Sequence, residues 1–241
     1  MREPLERAKS AEEVLDAPRH GDAELRIYLK TLGRLNWIFG ANAPMLRELD
    51  RGVRLHGISG SVSVLDVGTG GADLSRAIVR WAVRRGLRPA VVACDRHEQV
   101  VEAAREFCAG IPEITVVKED AANLPFPAGS FDFAVCSLLL HHLSEQDILL
   151  MLARLRSITR HAVVVNDLVR SRLGYAGVKL GTRLVSRNWM IRNDGPISVL
   201  RAFTLAELRE IARRAGCEDM VFRKHAFFRM TGVTNGRGAS A

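Results

Sequence analysis

Three groups of residues in this 241-residue chain have the types and spacing to do chemistry. The first is Asp66, Gly68, Thr69 and Gly70, in "VLDVGTGGADLSRAI". An apolar run, a glycine-rich turn and the start of a helix follow one another there, and the glycines let backbone approach a ligand closely. The second is a pair of carboxylates placed after later apolar runs, Asp95 in "VVACDRHEQVVEAAR" and Asp120 in "KEDAANLPFPAG". The third is His141 and His142 in "CSLLLHHL", together with Asp167 after the next apolar run. Imidazole titrates near neutral pH and suits proton transfer. The same rings can instead cap a helix or support a pocket floor.

The glycine turn excludes two ligands. A dinucleotide fingerprint needs a third glycine where this chain has Asp73, and a carboxylate at that helix start opposes a pyrophosphate. A P-loop needs a Gly-Lys-Ser/Thr run that is absent here. Asp66, just ahead of the glycines, points instead to a cationic or zwitterionic ligand.

The elements that must position these residues alternate. Apolar runs at Val62–Val67, Ala90–Cys94, Ile114–Val117, Phe131–Ser137 and Ala162–Asn166 read as strands covered on both faces. Helical patterns lie between them at Ala72–Arg85, His97–Cys108 and Glu145–Ile158, which predicts a parallel sheet with right-handed crossovers. Two further helices near Ala23–Leu35 and Pro44–Gly52 precede the first strand. "FTLAELREIARRAG" reads as a helix capped by Thr204 and Glu207 and stopped by Gly216. "MVFRKHAFFRM" alternates like a hairpin or an antiparallel edge, and the last residues, "TNGRGASA", read as disordered.

"DVGTGGA" resembles the first motif of class I S-adenosylmethionine-dependent methyltransferases, with Ala72 standing at the third glycine position of that family's pattern. The order of Asp95, "KEDAANLPFPAGSFDFAV" and "CSLLLHHL" is similar to the small-molecule members of the ubiquinone- and menaquinone-biosynthesis type. The resemblance implies a doubly wound, mostly parallel seven-stranded α/β sheet with an antiparallel C-terminal edge and an N-terminal helical cap. It implies S-adenosylmethionine as cofactor, held by Asp66, Gly68, Thr69, Gly70, Asp95, Arg96, Asp120, Ala121, Ser137 and Leu138. Asp95 would take both ribose hydroxyls, since a carboxylate offers two acceptor oxygens to a vicinal diol. Asp120 would take the adenine amino group and Ala121 would offer its backbone N–H. The methyl acceptor needs to be positioned and kept dry, and a base where it is a phenol or enol. His141, His142 and Asp167 are the candidates, and the resemblance favours His142. Residues 1–55 are expected to form the helical cap, 56–233 the methyltransferase domain and 234–241 the disordered tail.

The acceptor is expected under an insert at 168–203, a lid that would close on it together with the N-terminal helices. Within it "RSRLGYAGVKLGTRLVSRNW" can form one helix, with Leu173, Gly177, Leu180 and Leu184 on one face and Lys179, Arg183 and Arg187 as a basic stripe. That stripe reads as a solvated edge, or as a contact for an anionic acceptor or an acidic membrane surface. Arg192, Asn193 and Asp194 precede a Gly195-Pro196 turn, and either orient the acceptor or only shape the turn. Trp37, Arg170, Tyr175, Trp189 and Arg192 are the candidate acceptor contacts. The expected product is a methylated hydroxyl on a small aromatic or polyketide-like molecule. C-methylation of a quinone precursor, a non-catalytic S-adenosylmethionine-binding module and a nicotinamide oxidoreductase are the competing readings.

Composition narrows the partners. The chain is 47% hydrophobic and 26% charged, with a net charge of +8. Arginine far outnumbers lysine and the basic residues are spread along the chain, so the charge does not read as a nucleic-acid footprint. No "Asp/Asn-Pro-Pro-Tyr" stands after the fourth strand, which separates the chain from the DNA adenine and cytosine-N4 methylating families. The paired glutamates of protein-arginine enzymes are missing too. No apolar run reaches the ~18 residues of a membrane span. Cys94, Cys108, Cys136 and Cys217 are scattered without a CxxC pair, so they read as reduced and buried in a cytoplasmic protein, and no metal site is expected.

Overall fold

The computed structural model describes residues 5–16 and 21–234. Seven strands form one sheet: β1 (Ser61–Val67), β2 (Arg88–Asp95), β3 (Ile114–Lys118), β4 (Phe131–Ser137), β5 (Thr159–Leu168), β6 (Val221–His225) and β7 (Arg229–Val233). Their order is β3-β2-β1-β4-β5-β7-β6. The pairs among β1 to β5 are parallel, while β7 runs antiparallel to both β5 and β6. This is the mostly parallel sheet with an antiparallel C-terminal edge that the apolar runs foretold. The chain order reverses between β1 and β4, and open parallel sheets bind ligands at such a point, beyond the carboxyl ends of the strands.

Helices cover both faces. On one side α2 (Asn42–Leu55), α3 (Asp73–Arg84) and α4 (Glu98–Phe107) bury Met45, Leu49, Ile78, Trp81 and Ala104 against Val64, Phe133 and Val164. On the other, α5 (Glu145–Ile158) and α8 (Leu205–Arg214) bury Ile148, Met151, Leu155, Leu208 and Ile211 against Leu65, Val163 and Val165. α5 begins where Ser144 Oγ accepts from Asp147 N, and α8 begins with the Thr204–Glu207 capping box and is followed by Gly216 at φ +71°.

Two expectations shift. The first 55 residues do not act as one cap. α2 lies flat on the sheet, so close that a Cβ on Gly52 would stand 2.5 Å from the Phe133 ring. α1 (Asp22–Ile38) stands over the strand ends, where Leu25, Tyr28 and Leu29 pack on Val100, Ala103, Met190 and Ile191, and Glu13 and Asp16 reach the same end. The insert is two helices, α6 (Arg172–Val185) and α7 (Trp189–Arg201), rather than one helix and a turn. Asn188 breaks the run because its Oδ1 accepts from Met190 N and Ile191 N, an N-cap that starts α7. Arg187 therefore lies beyond α6. Arg192, Asn193 and Asp194 lie inside α7, and Gly195-Pro196 continues the helix instead of turning. Residues 235–241, most of the expected disordered tail, lie outside the described residues. Thr234 is tied to Val163 through its backbone N–H and its Oγ1.

Candidate active site

The loop from Gly68 to Ala72 joins β1 to α3. Gly68 and Gly70 have φ of +68° and +53°, conformations that glycine adopts without a Cβ clash. A Cβ on Gly68 would stand 2.8 Å from Leu139, whereas the space beside Gly70 is open, as a cradle for a ligand requires. Ala72 keeps the left-handed backbone at φ 53° even though it replaces the family's third glycine. Asp66 is not part of the ligand surface. It is buried beneath the loop, where it accepts from Thr69 Oγ1 at 2.9 Å and from Ser75 Oγ at 2.5 Å. Burial pushes its carboxyl up to about 6, against the pull of these two hydroxyls. The expected contact between Asp66 and a cationic ligand is thus corrected: it shapes the loop, and Thr69 and the glycines face the cavity.

Asp95 ends β2. Its Oδ2 accepts from Gly70 N at 3.1 Å and its Oδ1 from His97 N at 3.2 Å, so it fixes the loop while keeping one acceptor site per oxygen for a diol. Arg96 lies exposed against His97. Asp120 is exposed and accepts from Ala122 N, with Ala121 buried beside it. Ser137 accepts from Asn166 Nδ2, and Leu138 N–H donates to Asn166 O in a left-handed backbone at φ 56°. Such strain in a non-glycine residue is typical of functional sites.

Of the ten expected cofactor contacts, all but Asp66 line one cavity of about 450 Å³. Beyond the glycine loop it continues as an apolar chamber between Leu32 and Leu35 of α1, Phe39 just past its end, Val178 and Val185 of α6, and Phe227 and Phe228 of the β6–β7 turn. Phe227 and Phe228 both have φ of 58°. Phe39 meets Phe227 edge to face at 5.2 Å. α6 presents Gly174 and Gly177 to Phe228, and a Cβ on Gly177 would stand 2.7 Å from that ring.

The chamber ends in a polar corner. His141 Nδ1 lies 2.6 Å from Asp167 Oδ1, and the Asp167 carboxylate also accepts from His141 N and Leu168 N. Burial alone would raise Asp167, but the His141 ring and these N–H groups hold it below the usual range. His142 Nδ1 lies 2.8 Å from Asp16 Oδ1, and Asp16 also pairs with Arg201. Burial is outweighed there too, and Asp16 sits well below an ordinary aspartate. Glu13 stands between the two imidazoles, with its Oε2 accepting from Ser198 Oγ at 2.8 Å. Burial pushes it up to about 7 against His142, Ser198 and Arg201. Glu13, His141 and His142 bring three ligand atoms within 4.8 Å of one another, in a chain whose sequence raised no expectation of a metal site.

None of the five expected acceptor contacts lines this cavity. Trp37 is 79% exposed at the end of α1, because Leu32, Leu35 and Phe39 take the inward face. Trp189 points outward and donates from Nε1 to Glu24. Arg170 is buried, donating to Leu5 O, Ala202 O and Glu207 Oε1. Tyr175 packs on the Leu168–Val199–Ala202 cluster. Arg192 donates to Ser186 O and Arg183 O, closing the end of α6. The cavity is lined there by Leu32, Phe39, Phe227, Phe228, Glu13 and Asp16. Nothing local marked the two acids within a charged N-terminal stretch. The Phe227-Phe228 pair at a hairpin turn was the one visible signal.

A glycine loop at the switch point of this sheet and a carboxylate at the end of β2 give the cavity the open backbone and the acceptor oxygens that a nucleoside would need. Residues 64–162 match the family model described as a methyltransferase domain. Residues 64–162 thus carry a methyltransferase domain, and the chain has the fold of solved S-adenosylmethionine-dependent methyltransferases. A SAM-dependent methyltransferase from Aquifex aeolicus is 19% identical with a TM-score of 0.62, over 90% of this chain and 98% of that one. Human N-acetylserotonin methyltransferase, in complex with SAM, is 18% identical with a TM-score of 0.64, over 94% of this chain and 59% of that one. The pyocyanin biosynthetic protein PhzM is 19% identical with a TM-score of 0.53, over 73% and 51%. No curated protein matches the chain by sequence.

Proposed function

We propose that this enzyme methylates a hydroxyl on a small, largely apolar, aromatic or polyketide-like molecule. The observation that carries this reading is the continuous cavity, which joins the glycine loop and Asp95 to an apolar chamber with one polar corner. Bound at the loop, S-adenosylmethionine supplies an electrophilic methyl on a sulfonium and leaves as S-adenosylhomocysteine. Gly68, Thr69, Gly70 and Asp95 would hold its amino-acid and ribose parts, and Asp120, Ala121, Ser137 and Leu138 would flank the rest, with Arg96 at the rim.

The chain's own contribution to catalysis is position, dryness and a proton path. Leu32, Phe39, Val178 and the two phenylalanines exclude water and favour a flat apolar acceptor. A hydroxyl entering the corner meets His141 and His142. Their Nδ1 atoms are engaged by Asp167 and Asp16, so their Nε2 atoms are the groups free to accept its proton. A methyl acceptor at carbon would use the same enclosure, with the corner taking the proton of the phenol or enol whose carbon attacks.

The test is incubation of the protein with S-adenosylmethionine and a panel of alkylphenols, quinols and aromatic polyketides, read by mass spectrometry. Gain of one methyl on oxygen supports the reading, and gain on carbon moves the assignment to C-methylation. Turnover on no member, with intact cofactor binding, would favour a binding module. His142→Ala is expected to lower kcat by about 100-fold while leaving cofactor affinity unchanged. Unchanged kcat would remove His142 from proton transfer.

Among the described residues no helix is long and apolar enough to cross a membrane. α6 nevertheless exposes Leu173 (77%), Leu180 and Leu184 (76%) beside Lys179 and Arg183. Such a face suits peripheral contact with an acidic lipid surface from which an apolar acceptor would enter. The four buried free cysteines are consistent with a cytoplasmic protein.

A further inference from the structure

We propose that Glu13, His141 and His142 form a binding site for one divalent transition-metal ion at the polar end of the acceptor chamber. The geometry of the two imidazoles points to it. Each Nδ1 faces a carboxylate, Asp167 at 2.6 Å and Asp16 at 2.8 Å, and carboxylates accept. Each Nδ1 therefore carries the ring proton, and each Nε2 presents a lone pair. Carboxylate, histidine and metal in line is the usual outer-shell arrangement for imidazole ligands, and its carboxylate–histidine half is present here twice.

The third donor sits where both lone pairs point. His141 Nε2 is 3.6 Å from Glu13 Oε1 and His142 Nε2 is 3.7 Å from Glu13 Oε2. These separations are too long for hydrogen bonds. They match donors sharing an ion, since a zinc-like ion bound at about 2.0–2.1 Å keeps tetrahedral ligands roughly 3.4 Å apart. Glu13 is only 4% exposed, and its Oε1 accepts no hydrogen bond, with Arg201 Nη1 pairing with it at 3.5 Å. A buried carboxylate oxygen without a hydrogen bond is costly, and an ion would add the close contact that the guanidinium does not make. All three residues line the cavity, so the ion would keep an open side toward the acceptor.

The charges agree. Glu13, Asp16, Asp167 and Asp194 surround the corner, while Arg201 lies against Asp16 and Glu13 and Arg229 acts on Asp167. Four carboxylates against two guanidinium groups make this corner one that favours a cation. Two imidazole nitrogens and one carboxylate suit zinc, iron, cobalt or nickel better than magnesium or calcium.

The inference rests on the proposed hydroxyl acceptor only for its role. An ion here would coordinate that hydroxyl's oxygen and so fix the acceptor at the polar corner. Metal binding itself stands apart from turnover and is tested apart. Full-length protein stripped with chelator is titrated with zinc chloride by calorimetry and with cobalt chloride by visible absorbance. One ion per chain at micromolar affinity or tighter is expected, with cobalt d–d bands showing nitrogen ligation. Glu13→Gln and His142→Asn, checked for native circular dichroism, should each weaken binding by at least about 10-fold. Asp95→Ala should weaken cofactor binding by at least about 10-fold and keep the metal, which separates failure of this site from failure of the cofactor reading. No binding by the wild type, or binding unchanged in a folded Glu13→Gln, overturns the proposal.

Discussion

Asp95 and Asp66 are both carboxylates at the ends of adjacent strands, yet the structure gives them different work. Asp95 touches the cavity and keeps acceptor capacity, so Asp95→Ala should weaken S-adenosylmethionine binding by at least about 10-fold, read by calorimetry. Asp66 lies under the loop with its carboxyl pushed up to about 6, first of all by burial. Its proton-bound form is favoured by folding. The group's contribution is therefore full below the ordinary aspartate range and is lost as pH rises through about 6. Asp66→Asn keeps an acceptor for Thr69 and Ser75 but cannot ionise. Its stability relative to wild type should thus improve between pH 4 and pH 6, by up to about 1.4 kcal/mol per pH unit, followed by urea denaturation. A flat difference would mean that Asp66 ionises as freely in the folded chain as in the unfolded one.

At the scale of elements, specificity lies where α1, α6 and the β6–β7 turn meet. Close approach of α6 to Phe228 depends on Gly174 and Gly177. Gly177→Val would drive the Phe228 ring from its place, and the KM for the acceptor should rise about tenfold with cofactor affinity unchanged. An equal loss in both would show that α6 also shapes the cofactor end. The outer face of α6 is separable from the inner one. Leu180→Glu with Leu184→Glu should abolish co-sedimentation with vesicles rich in acidic lipid while leaving turnover on a soluble acceptor intact. Vesicle binding that survives both substitutions would assign the contact elsewhere. The helix boundary itself came from Asn188, whose cap outweighs the apolar periodicity that ran on to Trp189.

Across the whole molecule, long-range polar ties hold the insert and the N-terminal segment to the sheet. Arg170 binds Leu5, Ala202 and Glu207 at once. Arg170→Ala should lower Tm by roughly 5–10 °C, in calorimetric scans, without changing cofactor affinity. A change in affinity would restore Arg170 to the site. What the sequence determined by itself was the sheet, the glycine loop and the acid at the end of β2. Those depend on local signals: apolar runs for strands buried on both faces, glycines at positive φ, a carboxylate one residue past a strand. Even Ala72, out of pattern, kept the left-handed turn, because the loop's path is set by the strand and helix on either side. Only the tertiary structure decided the acceptor chamber. Glu13 and Asp16 come more than 120 residues before the histidines they meet, and Phe39 meets Phe227 across almost the whole chain. Trp37 and Phe39 lie two residues apart on nearly identical local sequence, yet one faces solvent and the other the cavity. That difference is fixed by which face of α1 finds α4, α7 and the hairpin to pack against, and no local propensity encodes it.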